Sequence, residues 1–129
     1  MVAIDTNVLI RFLARDDQSQ YQRARQLIET ESIWVAMTVL LESEWVLRRH
    51  LRLPRDLVLR LLGAFAGLPN VTVQDPRALA QALDLAREGM DFADALHIAA
   101  TPDGQRFATF DADFARVARR MGRIGVFAP

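Results

Sequence analysis

The chain has 129 residues, 51% of them hydrophobic, with 16 Lys plus Arg balancing 16 Asp plus Glu. That length and composition suit a single compact domain over residues 1–129, and a formal charge of zero leaves any polyanion contact to local arrangement rather than to a global field. The absence of Cys excludes disulfides, thiolate metal ligands and a Cys nucleophile and fits a reducing cytoplasm, the location expected of a chain with no leader pattern and no apolar stretch long enough for a bilayer.

In chain order, Val2 to Ile4 reads as a strand that runs directly into Asp5, and Asn7 to Ala14 as a helix. Asp17 can cap a second helix reaching about Thr30, with Tyr21, Ala24, Leu27 and Ile28 on one face. Ile33 to Ala36 is the next strand, and a helix from about Thr38 to His50 follows. Pro54 stands at a first helical turn and opens another helix through Leu57, Leu61 and Leu62 to Gly67.

Val71 to Val73 is a short β-branched strand. Asp75-Pro76 then pairs a cap with a proline at the first position of a helix that runs to Glu88 and stops at Gly89. Asp91 to Ala100 is helical, Pro102-Asp103-Gly104 turns the chain, and Phe107 to Phe110 is a strand. Phe114 to Met121 is helical and Ile124 to Phe127 a last strand. Strands alternating with helices predict an α/β protein, a three-layer α/β/α sandwich around a central parallel sheet with β1 near its middle.

Acids fall where such a fold gathers ligands. Asp5 and Asp111 each follow a strand-like run, at the carboxyl ends where open α/β sheets place their crevices. Each can equally well cap the helix that follows it. Glu42 lies among apolar i±3 and i±4 neighbours, so a semi-buried carboxylate paired with an arginine is the alternative to a site role. Glu44 has similar neighbours, and periodicity does not choose between the two.

Asp91 is placed to cap a helix, with Asp94 at its third position and Phe92, Leu96 and Ala99 on the buried side. His97 shares the polar stripe of Asp94 and is read as a satisfied structural histidine before a ligand. Taken together, Asp5, Glu42, Asp94 and Asp111 would repel one another at a shared crevice unless a cation neutralised them. Oxygen-only donors favour Mg²⁺ or Mn²⁺ over zinc.

Four segments carry a family resemblance: Asp5-Thr6-Asn7-Val8-Leu9-Ile10, then Thr38 to Leu47, then Asp91-Phe92-Ala93-Asp94-Ala95-Leu96-His97, then Thr109-Phe110-Asp111-Ala112-Asp113-Phe114. In this order and along essentially its whole length, the chain resembles the PIN-domain family and, within it, VapC-type toxin ribonucleases of toxin–antitoxin pairs. The resemblance implies that Asp5, Glu42, Asp94 and Asp111 are the four catalytic acids, with Asp5 and Asp94 as metal ligands. It further implies Thr6, Asn7 and Thr109 as polar supports, with Asp113 as a candidate assistant.

The implied activity is hydrolysis of RNA phosphodiester bonds by a Mg²⁺- or Mn²⁺-dependent endoribonuclease, with a cognate antitoxin and a homodimer as partners. The apolar helices around Trp45 to Leu47 and Leu57 to Phe65 are the candidate dimer surface. Arg116, Arg119, Arg120 and Arg123 form one stripe and Arg48, Arg49, Arg52 and Arg55 a second concentration, each read first as a solvated face. A phosphoacceptor receiver domain is set aside because every basic residue is Arg and no Lys is present. A haloacid-dehalogenase-type phosphatase would want an Asp where Asn7 stands. The alternative function is a non-catalytic PIN-like module that binds RNA or protein.

Overall fold

A computed structural model describes all residues from Met1 to Pro129. They form two compact units, Met1–Pro76 and Arg77–Pro129.

In the first unit β1 (Val2–Ala3), β2 (Ile33–Val35) and β3 (Val71–Val73) make a parallel sheet in the order β1-β2-β3. Val2 stands opposite Ile33, and Ile33 opposite Val71. Parallel neighbours require long crossovers. These are α1 (Thr6–Ala14) with α2 (Gln18–Thr30), and α3 (Met37–Trp45) with α4 (Arg55–Ala66). β2, flanked on both sides, reads Ile-Trp-Val and buries Ile33 and Val35 completely. In this sheet β1 is therefore an edge strand and β2 the central one, correcting the expectation from sequence.

The helices close on an aliphatic core in which Leu9, Leu40, Leu47, Val58 and Leu62 are fully buried. Each such side chain contributes roughly 1.5–3 kcal/mol through the apolar area it removes from water. The second helix starts where its cap predicts, since the Asp17 carboxylate accepts from the Gln20 N–H at 3.0 Å. α3 has no such residue of its own. Its Met37 N–H is satisfied by the Gln74 side chain from beyond β3, a contact 37 residues away that local pattern does not carry.

The helix expected to reach His50 stays α-helical only to Trp45 and then widens to a π-helix over Val46–His50, with the Leu51 N–H bonded to the Val46 carbonyl. α4 spends Val58, Leu59, Leu62 and Phe65 on the core. Most of the Leu57–Phe65 surface proposed for dimerisation is thus already buried within one chain. The indole of Trp45, 49% exposed, is what the candidate interface retains.

In the second unit α5 (Pro76–Arg87) and α6 (Phe92–Ala99) precede a parallel pair, β4 (Phe107–Ala108) and β5 (Val126–Phe127), joined through α7 (Ala112–Arg120). Gly89 separates α5 from α6 at φ 107°, a conformation L side chains rarely adopt. Phe92, Ala95, Leu96 and Ile98 line the inner side of α6, and Phe107 stacks on Phe114 at 5.3 Å. The strand expected over 107–110 spans only Phe107–Ala108, with the Thr109 N–H still bonded to the Phe127 carbonyl and Phe110 87% exposed.

Candidate active site

Asp5 leaves β1 in extended conformation and caps α1, its Oδ1 accepting from the Asn7 N–H at 3.0 Å. Such a cap contributes about 1 kcal/mol and uses one carboxylate oxygen of two. The next residue, Thr6, is buried, and its hydroxyl donates to Oε1 of Glu42 on α3. One side chain therefore ties the end of β1 to α3 and brings Glu42 to the segment that carries Asp5.

Glu42 is exposed rather than semi-buried as the apolar neighbours suggested. The buried acid of this helix is Glu44, 2% exposed, which accepts from Arg48 Nε at 2.7 Å and from the second guanidinium nitrogen at 3.2 Å. The i,i+4 order of Glu44 and Arg48 is the sequence signal for that pairing. The arginine-paired alternative weighed for Glu42 belongs to Glu44.

In the second unit Asp91 caps α6, accepting from the Asp94 N–H at 3.3 Å. Asp94 is half-buried one turn in, and its carboxyl is held above the usual carboxylate range. Loss of solvent is the main cause, followed by the negative charges of Asp91 and Asp111, with His97 acting in the opposite sense. Asp111 caps α7 by accepting from the Phe114 N–H at 3.0 Å, and its own N–H is held by the Thr109 hydroxyl at 3.0 Å.

Asp94 and Asp111 therefore feel one another. His97 is exposed and makes no side-chain hydrogen bond, so it is not the satisfied structural histidine expected. Asp113 is exposed and faces Arg116 at 3.6 Å.

The ion pairs separate the acids into two groups. Asp16, Glu29, Glu44, Asp84, Glu88, Asp103 and Asp113 each meet an arginine. Asp5, Glu42, Asp94 and Asp111 meet none, in a chain with 16 arginines. Asp17, Glu31 and Asp56 are also without one and, like Asp5, Glu42 and Asp111, are exposed.

The arginine stripe on α7 is largely engaged within the fold. Arg119 donates twice to the Val126 carbonyl, Arg120 meets Glu88, and Arg123 reaches the Thr101 carbonyl and Gln81. Arg116, Arg119 and Arg120 are exposed, as a solvated face requires, and the stripe also braces the second unit.

The donors fit a hard cation in kind. All four are carboxylates without a guanidinium, and Asp94 is held up first by loss of solvent and then by the neighbouring charges of Asp91 and Asp111. Within either unit, however, no three His, Cys, Asp or Glu side chains are gathered into a cage.

The chain thus combines helices and parallel strands with acids at strand–helix junctions. The PIN domain family model matches residues 2–120, and the chain belongs to the PIN-domain family, whose members are generally metal-dependent nucleases. The match, the parallel β1-β2-β3 sheet and the seven α-helices bear out the expected α/β sandwich class. No curated protein and no solved structure matches the chain. No helix is long and apolar enough to cross a membrane.

Proposed function

We propose that this PIN-domain protein is a Mg²⁺- or Mn²⁺-dependent endoribonuclease acting in the cytoplasm, the toxin of a type II toxin–antitoxin pair. Its catalytic acids are Asp5, Glu42, Asp94 and Asp111. The observation that carries the reading is the ion-pair pattern: the four acids picked out by family motif are free of arginine, whereas the rival acid Glu44 is neutralised. The VapC-like motifs support the toxin assignment, and with it a cognate antitoxin and a homodimer as partners.

Asp5 and Asp94 are the direct ligands in this reading. When bound, the cation supplies the Lewis acidity that lowers the pKa of water and offsets charge on the scissile phosphate. The chain's own part is orientation. The Asn7 N–H fixes one oxygen of Asp5, the Thr6 hydroxyl one oxygen of Glu42, and the Thr109 hydroxyl the backbone of Asp111. Each contact takes a single oxygen or none from the carboxylate it positions.

The test is RNA cleavage with Mn²⁺ or Mg²⁺, with and without chelator, by wild type, Asp5→Asn and Asp94→Asn. Cleavage by wild type alone, abolished by chelator, is the expected result. RNA binding without cleavage by wild type would assign the non-catalytic module instead, and equal cleavage by all three proteins would trace the activity to a contaminant.

A further inference from the structure

The first unit contains a cavity of about 340 Å³ between α1 and α2, lined by Asn7, Val8, Arg11, Gln20, Arg23 and by Ala24 with Leu27. Its volume lies in the range of small-ligand pockets, roughly 300–1,000 Å³. Its walls divide by chemistry. Val8, Ala24 and Leu27 give an apolar floor, while two guanidiniums and two carboxamides stand around it with no carboxylate in the lining.

The two arginines are not equivalent. Arg11 is anchored, its Nε donating to Gln20 Oε1 at 2.6 Å and its terminal nitrogen to both oxygens of Asp16 at 3.1 and 3.2 Å. Arg23 is exposed and has no ion pair and no hydrogen bond within the chain. An anchored guanidinium beside an unpartnered one, over an apolar floor, complements an anion attached to a flat apolar body. The cavity also adjoins the proposed reaction centre, because Asn7 lines it and the Asn7 N–H holds Asp5.

We propose that this cavity is a subsite for one nucleotide of single-stranded RNA next to the bond that is cut, with Arg23 holding the phosphate and Val8, Ala24 and Leu27 taking the sugar and base. The proposal rests on the nuclease reading for its placement beside the scissile bond. The binding itself is open to a separate test. Phosphate contacts give affinity that falls with salt, with a slope in log K against log salt of about −0.7 for each phosphate neutralised on a single strand. Loss of one such contact therefore lowers the slope by that amount as well as the affinity.

The experiment measures binding of a fluorescent oligouridylate by polarisation in EDTA, where no cleavage occurs, across a salt series. Arg23→Gln is compared with Arg25→Gln, an equal charge change on the same helix outside the cavity, where Arg25 is paired with Glu29. The expected result is about tenfold weaker binding by Arg23→Gln at low salt. Its salt slope should be reduced by about 0.7, while Arg25→Gln follows wild type and all three melt at the same temperature.

Equal weakening by both variants would reduce the effect to general charge, and no weakening by Arg23→Gln would free the cavity for a peptide or for no ligand. Either result overturns the proposal. A wild type that does not cut RNA with Mn²⁺ would remove the nuclease reading while leaving this measurement to decide the subsite.

Discussion

Replacing Glu44 by Gln removes the carboxylate charge that faces Arg48 in a region where the glutamate side chain is 3% exposed and the arginine side chain 22%. Breaking a buried pair from one side costs about 3–5 kcal/mol where the remaining charge has no other partner. Because Arg48 keeps contact with water and an interaction besides the Glu44 pair, the cost does not exceed the lower end, about 3 kcal/mol. For a chain of this size that corresponds to a drop of about 10 °C in Tm.

Glu42→Gln keeps an oxygen that can accept from Thr6 and leaves no buried cation behind, so its stability cost stays below about 1 kcal/mol. The two neighbouring substitutions should therefore separate. Glu44→Gln melts early, whereas Glu42→Gln melts with wild type and loses Mn²⁺-dependent cleavage. Thermal unfolding followed by circular dichroism, together with cleavage of a labelled RNA well below both melting temperatures, reads both effects. The reasoning is refuted if Glu44→Gln melts with wild type and abolishes cleavage while Glu42→Gln cuts normally.

Other outcomes follow from the same contacts. Since the Asp94 carboxyl is held above its ordinary range, the folded state binds more protons than the unfolded one there, and stability falls as pH rises through that window. Asp94→Asn should flatten that fall and raise Tm at neutral pH in chelator; a lower Tm would contradict the cause assigned. Mn²⁺ at a hundredfold excess over its Kd should stabilise wild type by about 2.7 kcal/mol. Asp5→Asn, which preserves a good cap residue, should show little of that shift in calorimetry, and an undiminished shift would remove Asp5 from the ligand set. Gly89→Ala places a Cβ in open space but at φ 107°, so the cost is backbone strain alone, about 1–3 kcal/mol, measurable in urea unfolding.

Local chemistry was the legible part of this sequence. Asp17, Asp91 and Asp111 cap helices where their positions predict, and the Asp75-Pro76 start and Gly89 stop of α5 bracket a helix observed at Pro76–Arg87. Each of those features is decided within a few residues. What sequence did not reveal depends on long-range neighbours: the capping of α3 by Gln74, the edge position of β1, and the burial of Leu59 and Phe65 that was mistaken for spare apolar surface. Glu42 and Glu44 fall between these cases. The i,i+4 arginine that distinguishes them is visible in sequence, but only packing decides which carboxylate is buried with its partner.

The capping and catalytic readings of the acids need not compete. A cap carboxylate accepts a helix N–H with one oxygen and sits at the positive end of the helix dipole, which fixes its position before any cation arrives. Asp5 and Asp111 have that arrangement, and Asp94 lies in the first turn of α6 behind the cap Asp91. A fold that placed acids for a cation but gave them arginines would compete with that cation at every position. One that left them without any partner would lose stability in its absence. Helix N-termini avoid both outcomes by offering a fixed partial positive charge, worth about 0.3–1 kcal/mol at each end, that positions the carboxylate and leaves its second oxygen available.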